Sequence, residues 1–168
     1  MPYRRFEELP VWNSAIDLAV HVYNVTETTQ FRRRRSLRDQ LERAAVSVSN
    51  NIAEGFERGT TQELLTFLYI ARGSAGEVRS MLCLFQRLPA FVDLKSEISN
   101  LKSIAESCSR QLRAWAAKLQ DSPIEGQRRL NTATRNRSDQ QKRAEAFTQM
   151  LKQNFKPAVF PNPPKRGD

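Results

Sequence analysis

Histidine is nearly absent from this 168-residue chain: His21 stands alone, and cysteine occurs twice, at Cys83 and Cys108. Zinc sites assembled from several Cys and His ligands are thereby excluded, because a closed structural site takes four such donors. Glycine is scarce as well, with six residues. Neither the P-loop pattern nor the GxGxxG fingerprint occurs, so the backbone cradles that hold nucleotide phosphates are missing. No apolar run reaches the roughly 18 residues of a membrane span. The opening MPYRRFEELP lacks the apolar stretch of a secretory leader. These absences predict a cytoplasmic protein with reduced thiols, no membrane, no cofactor and no metal.

Positive charge is abundant. Lys and Arg number 27 against 18 Asp and Glu, a formal net charge of +9. Such a balance favours polyanionic partners, with nucleic acid foremost. The charge is uneven along the chain. Residues 122–168 hold ten Lys or Arg and four Asp or Glu, whereas residues 1–121 hold 17 and 14.

Apolar spacing in the first 121 residues is helical throughout, and no segment alternates with the period of two that a strand needs. Pro10 opens the first helix, at a position where its missing N–H has no intrahelical partner. Val11, Ala15, Leu18, Ala19, Val22 and Val25 line it to about residue 27. Ser36, followed by Asp39, has the spacing of a cap for a second helix with Leu37, Leu41, Ala44, Ala45, Val48 and Ile52 on one face; Gly55 and Gly59 mark its exit. Thr60 with Glu63 forms a better capping box. It opens the longest helix, whose stripe runs from Leu64 and Leu68 through Ala71, Ala75, Val78 and Leu82 to Phe85, until Pro89 ends it. A fourth helix from about Phe91 to Leu119 carries Leu94, Ile98, Leu101, Ala105, Cys108, Leu112 and Trp115. Four amphipathic helices joined by short loops predict an all-α, antiparallel, up-down-up-down four-helix bundle over residues 1–121. Residues 122–168 read as a basic, partly disordered C-terminal arm, with one helix over 138–154 on which Ala144, Phe147 and Leu151 share a narrow stripe.

Particular strings carry a resemblance. Phe6-Glu7-Glu8-Leu9 with Val11-Trp12, then Ala44-Ala45-Val46-Ser47-Val48 and Asn51-Ile52-Ala53-Glu54-Gly55, resemble the four-helix-bundle proteins encoded by intervening sequences of 23S rRNA genes. Phe67-Leu68-Tyr69-Ile70-Ala71-Arg72-Gly73-Ser74, followed by Glu77, extends the match, which covers roughly residues 6–120. Ser49 departs from the family, which often has proline there. Gly76 departs too, standing where the family has a larger residue, and it marks a candidate close helix crossing. The bundle is also similar to the accessory variability determinant of diversity-generating retroelements. That resemblance implies a pentameric barrel that binds nucleic acid and partners a reverse transcriptase during mutagenic copying of a template RNA.

The densest charge is Arg32-Arg33-Arg34-Arg35, continued by Arg38. It reads as a phosphate-contacting patch or as a solvated loop; guanidinium groups fork onto phosphate and stack on bases. In the arm, Arg128, Arg129, Arg135, Arg137, Lys142 and Arg143 suit polyanion binding or solubilisation alone. Arg72 and Arg79, seven residues apart, share one face of the third helix with Gln86, as an ion-pairing face or a second nucleic-acid surface. Asn50, Asn51 and Glu54 resemble a catalytic cluster, yet such groups more often tie helix ends by hydrogen bonds. His21 has the spacing to pair with Asp17, an ordinary surface arrangement on a helix. Cys83 and Cys108 read as small core residues, and Trp12 and Trp115 as neighbours at one end of the bundle.

The leading expectation is a non-enzymatic, basic, homo-oligomeric bundle that binds RNA or an RNA–DNA hybrid, with a reverse transcriptase as partner in the retroelement form. The competing expectation is a protein–protein adaptor of the same family without direct nucleic-acid binding.

Overall fold

The computed structural model describes residues 3–121, 140 and 143–150. Two compact units make up the chain, Met1–Arg128 and Arg129–Asp168. The first is all helical among its described residues: a 3-10 turn at Phe6–Glu8, then α1 (Pro10–Thr26), α2 (Thr29–Arg32), α3 (Arg35–Glu57), α4 (Thr61–Arg87), a 3-10 turn at Pro89–Leu94 and α5 (Lys95–Gln120). It is a helical bundle in which α3 packs along α4, α4 along α5, and α1 against both α3 and α5. In the second unit, residues 143–150 are helical and exposed, with Thr148 donating to the Ala144 carbonyl at 2.8 Å. The remainder of the expected 138–154 helix, with Leu151, falls outside the described residues apart from Gln140, which is helical.

Helical spacing places the apolar side chains inward as it must. Ala15, Leu18, Val22, Leu41, Ala45, Val48, Ile52, Leu64, Ala71, Ala75, Val78, Leu82, Phe85, Ile98, Ala105, Cys108 and Leu112 have no exposed surface. They form two clusters. One holds Leu18, Val22, Leu41, Val78, Leu82 and Ile98 around three phenylalanines. The other holds Ala15, Val48, Ile52, Leu64, Leu68 and Leu112, with Trp12 and Trp115 both packed against it. Trp12 takes Phe6 as its edge-on ring partner, with centroids 5.2 Å apart.

The first departure from the sequence reading is α2. Phe31 is fully buried there and meets Phe85 edge-on at 5.1 Å and Phe91 at 4.8 Å, while Phe85 and Phe91 are themselves 4.8 Å apart. This triad joins α2 to the end of α4 and to the 3-10 turn that precedes α5. Residues 29–32 are therefore a helical plug over one end of the core.

Cap chemistry departs as well. Thr60 does cap α4: its hydroxyl accepts from the Glu63 N–H at 3.2 Å and donates to the Glu63 carboxylate at 2.8 Å. Ser36 does not cap α3, which begins one residue earlier, at Arg35, and has no side-chain cap. The fourth helix was expected from Phe91, but six residues of 3-10 turn precede α5 because Phe91 adopts a non-helical backbone as its ring enters the triad. Gly55 lies inside α3 rather than at its exit. A Cβ there would come within 2.6 Å of the Phe67 Cβ, so this glycine sets the close approach of α3 to α4. At Gly76, by contrast, a Cβ would meet nothing within 4 Å; it marks no crossing inside the chain. Ser49 is buried with its hydroxyl donating to the Val46 carbonyl at 3.0 Å, and α3 continues through it.

Polar ties cross between helices where two faces meet. The Thr26 hydroxyl donates to Glu42 at 2.6 Å, and Ser47 and Ser74 share a hydrogen bond at 2.9 Å. Gln40 donates to Glu77 at 3.1 Å, Gln111 to Ser14 at 3.2 Å, Gln120 to Tyr69 at 2.9 Å, and Lys102 to Gln86 at 3.4 Å.

Burial also governs the thiols. Cys108 is fully buried, and burial pushes its thiol up from 9.0 to about 11. In the unfolded chain the same thiol ionises first, so this contribution to stability is whole below pH 9 and is lost as pH rises toward 11. Cys83 is half-buried. Peptide mapping after alkylation at pH 8 should find Cys83 labelled well before Cys108; equal labelling of both would contradict the burial that sets the shift.

Candidate nucleic-acid interface

The arginine run does not form one uniform loop. Arg32 ends α2, exposed, with its guanidinium 3.1 Å from Glu27. Arg34 is half-buried. It donates to the Gln30 carbonyl at 3.2 Å, and its guanidinium lies over the Phe91 ring at 5.4 Å, where the negative face of the ring attracts the cation. Arg38 is also half-buried, 3.4 Å from Asp39 and 3.6 Å from Glu42. Arg33 and Arg35 remain exposed and have no ion-pair partner among the described residues. The folding role within this run thus belongs to Arg34, with Arg38 in support.

What surrounds Arg33 and Arg35 suits an anion. The first turn of α3 contains no acidic residue and no side-chain cap. The Leu37 and Arg38 N–H groups bond the Arg34 carbonyl, which leaves those of Arg35 and Ser36 without an intrahelical carbonyl. Such groups carry the positive end of the helix dipole. Beside them Thr29, Gln30, Arg33, Arg34 and Ala90 line a recess of about 470 Å³.

The other basic residues are placed as follows. Arg72 is exposed on α4 and Arg79 half-buried. Arg79 Nε is the one buried side-chain nitrogen or oxygen without a hydrogen-bond partner among the described residues. Arg143 is exposed on the helical stretch of the second unit. Arg128, Arg129, Arg135, Arg137 and Lys142 lie outside the described residues.

The cluster that resembled catalytic machinery is engaged locally. Asn51 donates to the Ser47 carbonyl at 2.7 Å and to its hydroxyl at 3.0 Å, and Glu54 pairs with Arg58 at 2.5 Å. His21 takes the backbone carbonyl of Asp17, at 2.7 Å, rather than its carboxylate. Among the described residues, no three His, Cys, Asp or Glu side chains gather as a metal would require, and no helix is long and apolar enough to cross a membrane.

Fold and surface together define an all-α helical-bundle protein with a basic rim at one helix start. The chain belongs to the 23S rRNA-intervening sequence protein family, whose model matches residues 7–114, from the first 3-10 turn into α5. Among solved structures it is similar in fold to a protein of unknown function from the S23 ribosomal protein family of Bacteroides thetaiotaomicron VPI-5482. That chain is 17% identical, with a TM-score of 0.57, and the match covers 63% of this chain and 97% of that one. The curated proteins include no match.

Proposed function

We propose that this protein is a non-enzymatic, cytoplasmic, RNA-binding scaffold whose primary contact is the start of α3, where Arg33 and Arg35 stand exposed beside uncapped backbone N–H groups. The observation that carries this reading is the contrast within one run: Arg34 and Arg38 are engaged by the fold, while Arg33 and Arg35 are not. Exposed like charges two positions apart repel, and a polyanion relieves that repulsion. Arg72, Arg79 and the basic arm, with Arg128, Arg129, Arg135, Arg137, Lys142 and Arg143, extend the same charge.

In its finer form the bundle is antiparallel and up-down-up-down. The cross-helix bonds support that register: from Tyr69 to Gln86 on α4, the α5 partners run backward from Gln120 to Lys102. The resemblance to retroelement accessory proteins extends the reading to a homopentameric barrel that holds template RNA, or an RNA–DNA hybrid, beside a reverse transcriptase.

Binding driven by phosphate contacts must release counterions, so it weakens as salt rises. The Arg33→Ala/Arg35→Ala variant should bind a stem–loop RNA more weakly than the unaltered chain. Its plot of log affinity against log salt should be shallower by about two, one for each lost phosphate contact. Affinity indifferent to salt in the unaltered chain would sink the mechanism.

The adaptor reading draws on a different place. Leu9, Pro10, Val11, Ala114, Trp115 and Leu119 line a mostly apolar recess of about 550 Å³ between the start of α1 and the end of α5. Loss of partner capture on Trp115→Ala, with RNA binding absent throughout, would favour that reading.

A further inference from the structure

The seam between α4 and α5 carries a feature that packing does not explain. Gly76 sits in the middle of the 27-residue α4, where glycine costs about 1 kcal/mol against alanine. A close helix contact would account for it, as one does for Gly55, yet a Cβ at Gly76 would meet nothing within 4 Å. Gly76 is therefore small toward the outside of the chain. Its neighbours on the same helical face, at one-turn, two-turn and three-turn spacing, are Arg72 and Arg79, then Cys83, then Gln86.

That face looks along α5. Gln86 accepts from Lys102, and Tyr69 accepts from Gln120 at the other end. Arg113 lies about three turns beyond Lys102 on the same face of α5, and it is exposed. The seam thus presents Arg72, Arg79, Lys102 and Arg113 over about 21 Å of α4 axis. The acid nearest to it on α5 is Glu106, whose carboxylate is taken by Arg110 at 3.6 Å. On α4, Glu77 turns to the other side and accepts from Gln40 of α3. The second unexplained observation is the Nε of Arg79, buried and unpartnered, on a side chain that is only half covered.

We infer that the α4–α5 seam is a second RNA contact, in which a phosphodiester backbone approaches α4 at Gly76 between the guanidinium groups of Arg72 and Arg79, with Lys102 and Arg113 along its path. This rests on the RNA-binding reading and adds a surface separate in sequence from the start of α3. Glycine at position 76 removes the side chain that would hold a strand away from the helix. Arginine on either side supplies forked donors that match phosphate oxygens. A linear row of cations on two adjacent helices suits a chain of evenly spaced charges better than one compact acidic patch.

The test uses the full chain and a fluorescent stem–loop RNA at two salt concentrations. Gly76→Leu should weaken binding about tenfold or more, and Arg72→Ala/Arg113→Ala should reduce the salt slope by about two. Gly73→Leu is the matched control: it is equally open and lies on the same helix, but about 100–120° around the axis from Arg72 and Arg79, whereas Gly76 stands within about 60° of both. It should bind as the unaltered chain does. Both leucine variants replace glycine with a better helix former, and circular dichroism checks that each keeps its fold. If both seam variants bind normally while Arg33→Ala/Arg35→Ala is weakened, the seam is overturned and the RNA reading stands. An unaltered chain that takes up no RNA overturns both. Displacement of the RNA by polyglutamate at equal charge would overturn the phosphodiester assignment in favour of an acidic polypeptide.

Discussion

Phe31→Ala should destabilise the protein by about 3–5 kcal/mol, the range for removing a large aromatic side chain from a packed core. Phe31 has no exposed surface and touches two other buried rings. Removing it leaves a void bordered by Phe85 and Phe91, each of which belongs to a rigid element and cannot collapse inward without shifting α4 or the turn before α5. Two edge-on aromatic contacts are lost besides, each contributing about 0.5–1.5 kcal/mol beyond simple burial. Urea unfolding checks the size of the loss, and Phe31→Leu should recover a large part of it. A loss of less than about 1 kcal/mol for the alanine variant would mean that α2 is not part of the core. Because α2 carries Arg32 and leads into Arg33, the same variant should also loosen the arginine run, seen as faster amide exchange at residues 29–35.

Gly55→Ala should be harmful although alanine is the better helix former. Its Cβ would arrive 2.6 Å from the Phe67 Cβ and 3.2 Å from Leu64 Cδ1, and the first of these atoms is fixed to the α4 backbone. Separating α3 from α4 to make room loosens Ile52, Leu64 and Leu68, so the expected loss is about 1–3 kcal/mol. Gly76→Ala, in open space, should gain up to about 1 kcal/mol. Opposite signs for two glycine-to-alanine changes, read from paired melting curves, form the check. A gain at both positions would mean that the α3–α4 contact yields easily.

Much of the bundle was legible because its helices are long and strongly periodic. The apolar positions assigned to α1, α3, α4 and α5 are buried or half-buried, and Thr60 announces α4 through local hydrogen bonds that depend on Thr60 and Glu63 alone. The misreadings share a cause: they concern contacts made between distant segments. Phe31 sits among Thr28, Thr29, Gln30 and four arginines, and only its meeting with residues 54 and 60 positions later makes it core. Ser36 has the right spacing for a cap, yet α3 starts at Arg35 with Arg34 in the cap position, two residues too early for it. Gly55 and Gly76 look alike in sequence, and only the neighbouring helix distinguishes them. In the candidate site, charge density singled out the run. It could not separate Arg34 and Arg38, which the fold engages, from Arg33 and Arg35, which it leaves exposed. The one cue available was Phe31 itself, an aromatic residue too large to leave in a polar loop.

The aromatic triad beneath α2 has a consequence for any anion that reaches this end of the molecule. Ordering a loose backbone at the moment of binding costs about 1–2 kcal/mol for every residue fixed. Phe31 holds the preceding turn against the core, the Arg34 carbonyl is bonded to the Leu37 and Arg38 N–H groups, and Arg34 itself rests on Phe91. The backbone that presents Arg33 and Arg35 is therefore fixed when the chain folds. On the proposed reading, an incoming phosphate would meet a preorganised surface, on which only side-chain rotamers remain to be settled.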